Sequence, residues 1–560
     1  MKQPYLVFTF FLLLLTIPLI AQDGGQLVTV LDNIKTELQE VQGKSNTYGQ
    51  SIVWEEDNPV KCEIISTVIN KKGKEVEHRY LLNLRNIDKN TIRTKNEKDV
   101  MKLSLIMDSR QKLIRYFKQG EQNNYKDKLE LYAIDADNAR ELEGLFENAV
   151  VEAQKIKPKD LPETFEEQIN WLMDNVKGVE IGETVYDQSL SQDEEIATLL
   201  AYNLTKQGKK AKEEKHLFNL ADLKENQVRL KVKGKTVSVE MPTNRKLKFV
   251  QQSVDGKVEK YLNKLAFYVE EPDLVKQLVD VLKRLIPQSE KMEKERLPQI
   301  NSLEDGMKML GETISDLDLS GKKEEQSIEA ACICNFNRNT TTEKGKSTAQ
   351  RWLFNLADFN EQRTEIKVSK DHIAIELTTD KSKLVQVFKD DEQQSFSKEV
   401  KILAKDVENA KQLMNLLPKL IQMCQEKTEN QEWVAKGSDA EWLQSQLPTI
   451  EGLRQNIEMI EADACKWKFS SAKAGKKGET EEIYEFNLYD LNTKSVDFSI
   501  SGKKLAIELG TKYQEKNIKY YKNGEPGDYK NKLRIQMDNV EKARQMIALW
   551  KRNIKVCSEK

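Results

Sequence analysis

The sequence predicts an α+β protein of four tandem repeats, each an N-terminal helix, about six antiparallel strands and a C-terminal amphipathic helix. Three observations carry that prediction. A short phrase returns as Leu82-Asn83-Leu84, Phe218-Asn219-Leu220, Phe354-Asn355-Leu356 and Phe486-Asn487-Leu488, with starts 136, 136 and 132 residues apart. Such self-similarity marks a repeat array. Turn residues recur in register with it: Gln119-Gly120, Asp255-Gly256, Asp390-Asp391 and Asn523-Gly524 occupy one hairpin position, where residues tolerant of positive φ are needed. Each block then closes on an apolar stripe of helical period, which in the last block is Ala543, Met546, Ile547, Trp550 and Ile554.

A chain of 560 residues is too long for one core, and four units of roughly 130 residues match the usual domain size. Its start, Met1-Lys2 followed by an apolar run from Leu6 to Ile20 and a polar stretch from Gln22, reads as a secretory signal peptide, 1–21, cleaved near Ala21. No Cys follows the apolar run, which argues against a lipoprotein. No later segment approaches the roughly 20 apolar residues of a spanning helix, so a mature chain without a transmembrane segment, periplasmic or extracellular, is expected. Charge and proline mark linkers at 155–164, 288–302 and 425–440, giving repeats at 22–160, 161–296, 297–432 and 433–560.

Each repeat opens with an amphipathic helical stretch, such as 165–176 with Trp171 and Leu172, or 440–450 with Trp442 and Leu443. The fourth repeat displays its strands most cleanly, at 465–471, 481–488, 495–500, 504–509, 518–522 and 532–537, where alternation and turn residues agree. The closing helices are entered through Asp137, Asp406 and Asp538, with Glu270-Glu271-Pro272-Asp273 in the second repeat, acids able to cap unpaired amides. Pro418 interrupts the third closing helix and is expected to kink it.

Antiparallel strands capped by one C-terminal amphipathic helix resemble the pleckstrin-homology-like barrel, in which the helix plugs an open end. A curved sheet packed on two helices fits the same pattern. The likeness is topological, and six strands with an added N-terminal helix depart from the seven-stranded family pattern. In that family a basic first hairpin contacts anionic head groups. The resemblance therefore implies an anion site at the tips around Gly73, Gly208, Gly345 and Gly478, where Lys72 and Lys74, Lys209 and Lys210, Lys344 and Lys346, and Lys476 and Lys477 cluster. Lysines around a turn glycine also belong to any solvated hairpin tip and discourage edge pairing.

Other motifs yield little chemistry. With 89 Lys+Arg against 91 Asp+Glu, nucleic acid is not an expected partner. The phrase asparagine is followed three residues on by Asp222, Asp358 and Asp490, and by Asn86 in the first repeat. Two oxygens per site are too few for a hard cation, and a cap on the turn leaving the strand is favoured. Gly345-Lys346-Ser347 looks like the end of a phosphate loop, but Thr340 stands where that motif requires glycine. His78, His216 and His372 are too scattered for metal-ligand spacing, and no nucleophile elbow or dinucleotide turn is present. Neither a cofactor, a metal nor a catalytic residue is expected.

The cysteines carry a regularity. Cys332 and Cys424, and likewise Cys465 and Cys557, lie 92 residues apart, opening strand to closing helix, which in an exported chain predicts two disulfides. Cys334 is the competing partner for Cys424. Matching Cys332-Ile333-Cys334 to Cys465-Lys466-Trp467 puts Cys334 opposite a core tryptophan and favours Cys332. The expected function is a secreted, non-enzymatic binding or scaffold protein of the bacterial envelope, its partner an envelope protein or glycan of unknown identity. The alternatives are a binder of anionic lipid or glycan through the basic tips, and a hydrolase using carboxylates in one diverged repeat.

Overall fold

The computed structural model describes residues 25–559 apart from 98, 159, 208–210, 320, 381, 430–436, 461–463 and 476–477. The expected signal peptide, the tips at Lys209, Lys210, Lys476 and Lys477, and part of the third linker lie outside the described residues. The chain forms two compact units, one of residues up to 256 with 262–293, the other of 257–261 with 294–560.

Mixed α and β structure fills both, with mostly antiparallel sheets. The described helices are α1 (Gly25–Glu37), α2 (Ala136–Lys155), α3 (Phe165–Asn175), α4 (Pro272–Arg296), α5 (Leu303–Thr313), α6 (Val407–Glu429), α7 (Asp439–Ser445) and α8 (Val540–Ser558). Between α1 and α2 run β1 (Val41–Gln42), β2 (Asn46–Glu55), β3 (Asn58–Asn70), β4 (Glu75–Asn83), β5 (Arg93–Glu97), β6 (Val100–Ile106), β7 (Arg115–Lys118), β8 (Glu121–Gln122) and β9 (Lys128–Ala133). They make a six-stranded sheet in the order β1-β2-β3-β4-β7-β8 and a three-stranded sheet β5-β6-β9. The same two sheets follow in residues 179–269 and 317–404, and in 453–537 with five strands in the larger.

Alternation dictates which faces are inside. On β3, Val60, Cys62 and Ile64 point into the core while Lys61 and Glu63 point away. The α2 stripe of Ala139, Leu142, Phe146, Ala149, Val150 and Ala153 closes the same core, joined by Leu27, Leu31 and Ile34 of α1. Turn chemistry follows suit. Gln119-Gly120, Asp255-Gly256, Asp390-Asp391 and Asn523-Gly524 all have positive φ at both residues, the requirement of a type I′ turn.

The six strands expected in 465–537 are present, with Leu453–Met459 and Glu525–Pro526 in addition. Leu453–Met459 alternates partly buried with exposed residues, but Gln455 holds one of its inward positions and breaks the apolar alternation that betrays a strand. Two caps shift. Asp135 rather than Asp137 caps α2, accepting from the amides of Asp137 and Asn138, and Asn539 rather than Asp538 caps α8. Pro418 lies inside a continuous α6, and α4 carries a second internal proline, Pro287.

A side-chain clasp absent from the sequence reading ties the two sheets together. Gln50 on β2 donates to the Tyr132 carbonyl of β9 at 2.8 Å and accepts from the Tyr132 amide at 2.7 Å, as a strand neighbour would. Gln188 does the same with Tyr268, Gln326 with Leu403 and Gln455 with Gln536. Each clasp satisfies a peptide group at a sheet edge, where an unpaired buried group is costly.

Candidate functional site at the block junctions

Within the first unit, the end of β4 meets the start of α4. Asn83 Nδ2 donates to Asp273 Oδ2 at 2.6 Å, Asn86 Nδ2 donates to Asp273 Oδ1 at 3.0 Å, and Lys276 Nζ donates to Asn86 Oδ1 at 2.7 Å. Lys61 pairs with Glu271 at 2.8 Å and Arg115 with Glu270. Tyr125, just past the β7–β8 hairpin, enters the core that α4 closes. Its hydroxyl donates to the Glu270 carbonyl at 2.6 Å and its amide to the Gly234 carbonyl at 3.1 Å.

The second unit builds the same junction in the same register. Asn355 Nδ2 donates to Glu541 Oε2 at 3.3 Å, and Arg544, three residues further along α8, reaches both oxygens of Asp358 at 2.7 and 2.6 Å. Gln386 stands for Arg115 and donates to the Asp538 carbonyl at 2.9 Å. Phe396 stands for Tyr125, entering the core closed by α8, with its amide on the Gly502 carbonyl at 3.0 Å. The acids Asp273 and Glu541 sit in first helical turns, where the positive end of the helix dipole favours them.

Burial sets the electrostatics. It pushes the Asp358 carboxyl up to about 6 against the opposing pull of Arg544. It lowers Lys276 in spite of Asp273. At Lys61 burial also acts downward, but the Glu271 carboxylate prevails and the ammonium is raised.

A pocket of about 250 Å³ opens at the first junction, with Trp54, Cys62, Leu82 and Leu113 against Lys61, Arg115, Glu271 and Asp273. At the second, Ile333, Phe354, Asn355, Leu384, Gln386 and Glu541 enclose about 30 Å³. The difference is local: Phe354 fills the space left by Leu82, and the charged Lys61 and Arg115 become Ile333 and Gln386. The first pocket can hold a small group with an apolar body and charged ends. Burial pushes the Cys62 thiol up to about 12, so it offers no thiolate nucleophile.

The sequence-predicted residues fall elsewhere. Lys72, Lys74, Lys344 and Lys346 are exposed at the tips of hairpins turning at Gly73 and Gly345, and Asn70 Oδ1 accepts from the amides of Lys72 and Lys74. The phrase asparagines cap their turns, accepting from the amides of Arg85, Ala221, Ala357 and Tyr489 at 2.9 to 3.0 Å. Cys332 is bonded to Cys424 and Cys465 to Cys557, with Cα separations of 5.5 and 5.8 Å, while Cys62 and Cys334 are buried thiols. His78 meets the Tyr116 hydroxyl at 2.7 Å and His216 meets Glu214 at 3.2 Å. Asn83, Asn86, Asn355 and Asp358 were read only as turn caps, whereas Lys276, Glu541 and Arg544 escaped the sequence reading because an acid and a base three apart at a helix start read as ordinary surface. Their signal was the recurrence of Asp137/Arg140, Asp273/Lys276, Glu408/Lys411 and Glu541/Arg544 in step with the phrase. Comparison with known proteins returned no matching family model, curated protein or solved structure.

Proposed function

We propose a secreted, non-enzymatic protein of the bacterial envelope whose four similar blocks form a tandem array for binding or scaffolding. The observation that carries this reading is the junction itself: the same register positions join blocks in both units, Asn83 and Asn86 to α4, Asn355 and Asp358 to α8. An array so assembled repeats its exposed surfaces, and repetition raises avidity for an extended partner without new contacts. Two disulfides are the chemistry of an oxidising compartment. Among the described residues no helix is long and apolar enough to cross a membrane.

Capture from an envelope extract on the immobilised mature chain tests the reading. A specific partner whose retention falls when the chain is cut to fewer blocks supports it, and equal retention by one block alone removes the role of repetition. The exposure of Lys72, Lys74, Lys344 and Lys346 favours one alternative, recognition of anionic lipid or glycan. That version requires co-sedimentation with anionic vesicles that salt abolishes.

A further inference from the structure

We propose that the mature chain associates head to tail, the exposed face of the fourth block seating on α2 of a second copy through the junction used inside each unit. The inference rests on the fourfold array.

A junction has a donating half and a receiving half. The donating half is the aromatic residue past the hairpin, the phrase asparagine and the polar residue three further on. Tyr125 and Phe396 are each 3% exposed, whereas Tyr529, at the same position in the fourth block, is 50% exposed. Asn83 and Asn355 are buried, but Asn487 is partly exposed and, among the described residues, caps its own turn. Beside it Tyr489 is exposed, where the third block has Ala357. The fourth block thus carries a complete donating half with its aromatic anchor exposed.

The receiving half is the acid and base on the first turns of a closing helix. Glu541 and Arg544 have side chains 20 and 17% exposed in their junction, while Asp137 and Arg140 on α2 are 87 and 74% exposed and, among the described residues, pair with one another at 2.9 Å. Ile134, 48% exposed, holds the position whose carbonyl receives Tyr125 or Gln386 in the built junctions. The charges match: Asp490 stands where Asp358 meets Arg544, so it would meet Arg140, and Asn487 would meet Asp137. Such an interface joins unlike faces, so it propagates into an open chain or closes a ring.

Sedimentation velocity of the mature chain, from about 1 to 100 μM, reads the outcome directly. Self-association that grows with concentration is expected. Asp490→Arg or Arg140→Asp alone should weaken it by roughly 100-fold through like-charge contact, and the two together should restore it. Thermal melts should overlay the parent for Arg140→Asp, since Arg140 is exposed, and shift only slightly for Asp490→Arg, whose side chain is partly buried and faces Lys512. A chain that stays monomeric throughout overturns the inference, as does association that neither single variant weakens. Limited proteolysis of the same samples tests the array separately: early cuts within 156–164 and 297–302, between the helices, keep it standing even if the chain is monomeric, and early cuts inside the repeated phrase remove it.

Discussion

Replacing Cys465 and Cys557 together by Ala should lower the melting temperature of the second unit while leaving the first unchanged. The bond closes a sequence separation of 92, for which chain entropy gives about 4.6 kcal/mol, near the top of the ~2–5 kcal/mol range for such losses. The second unit, of about 270 residues, unfolds with an entropy near 0.57 kcal/mol/K, so the expected fall is about 8 °C, and about 4 °C at the low end of that range. The geometry supplies a reporter. Trp467 and Trp550 are fully buried in the core that holds both cysteines, with ring centroids 5.0 Å apart, so their emission should shift as the unit opens. Calorimetry of the same variant should show the first unit's transition in place, because its only cysteine is the unbonded Cys62. A midpoint within about 1 °C of the parent, less than 1 kcal/mol at this size, would refute the account, and so would alkylation of native Cys465 and Cys557.

Arg544→Ala should cost about 3 kcal/mol by stranding buried Asp358 beside Glu541. Because the carboxyl is already raised above its unfolded value, stability must fall as pH rises through its folded pKa. Part of the loss should therefore return between pH 8 and 5 in urea titrations, and a pH-independent loss would contradict this. Glu240 is 5% exposed and receives Arg229 and Lys231 at 2.8 Å and Lys264 at 3.0 Å. Burial acts to raise its pKa, but the three cations bring it down to about 2 from 4.5, so its contribution is present above pH 4.5 and lost as pH falls toward 2. Glu240→Gln should cost about 1–2 kcal/mol at pH 7, discounted because the cations are exposed, and the gap from the parent should close on acidification. Gly306 of α5 is buried, and a Cβ there would lie 2.6 Å from Leu420 Cδ2 and 3.0 Å from Ile300 Cγ2. Gly306→Ala should then destabilise by about 1 kcal/mol, the overpacking exceeding the helix-propensity gain, and a higher melting temperature would show that Leu420 yields.

What the sequence determined by itself is what local chemistry controls. Positive φ is demanded wherever a two-residue hairpin turns, so Asp255-Gly256 and Asn523-Gly524 announced their turns. A helical stripe such as Ala543, Met546 and Trp550 can be buried on one side only, so it announced a closing helix. The 92-residue interval from Cys465 to Cys557 was legible because it recurs from Cys332 to Cys424. Only tertiary structure decided the rest, because those contacts join residues distant in sequence whose types are individually unremarked. Gln50 becomes a surrogate strand partner for Tyr132 only once two sheets are set edge to edge. Asn83 reads as a turn cap, and is one, until α4 of the next block brings Asp273 to its amide nitrogen. A side-chain pattern records which face is buried, whereas which block buries it depends on where the chain returns.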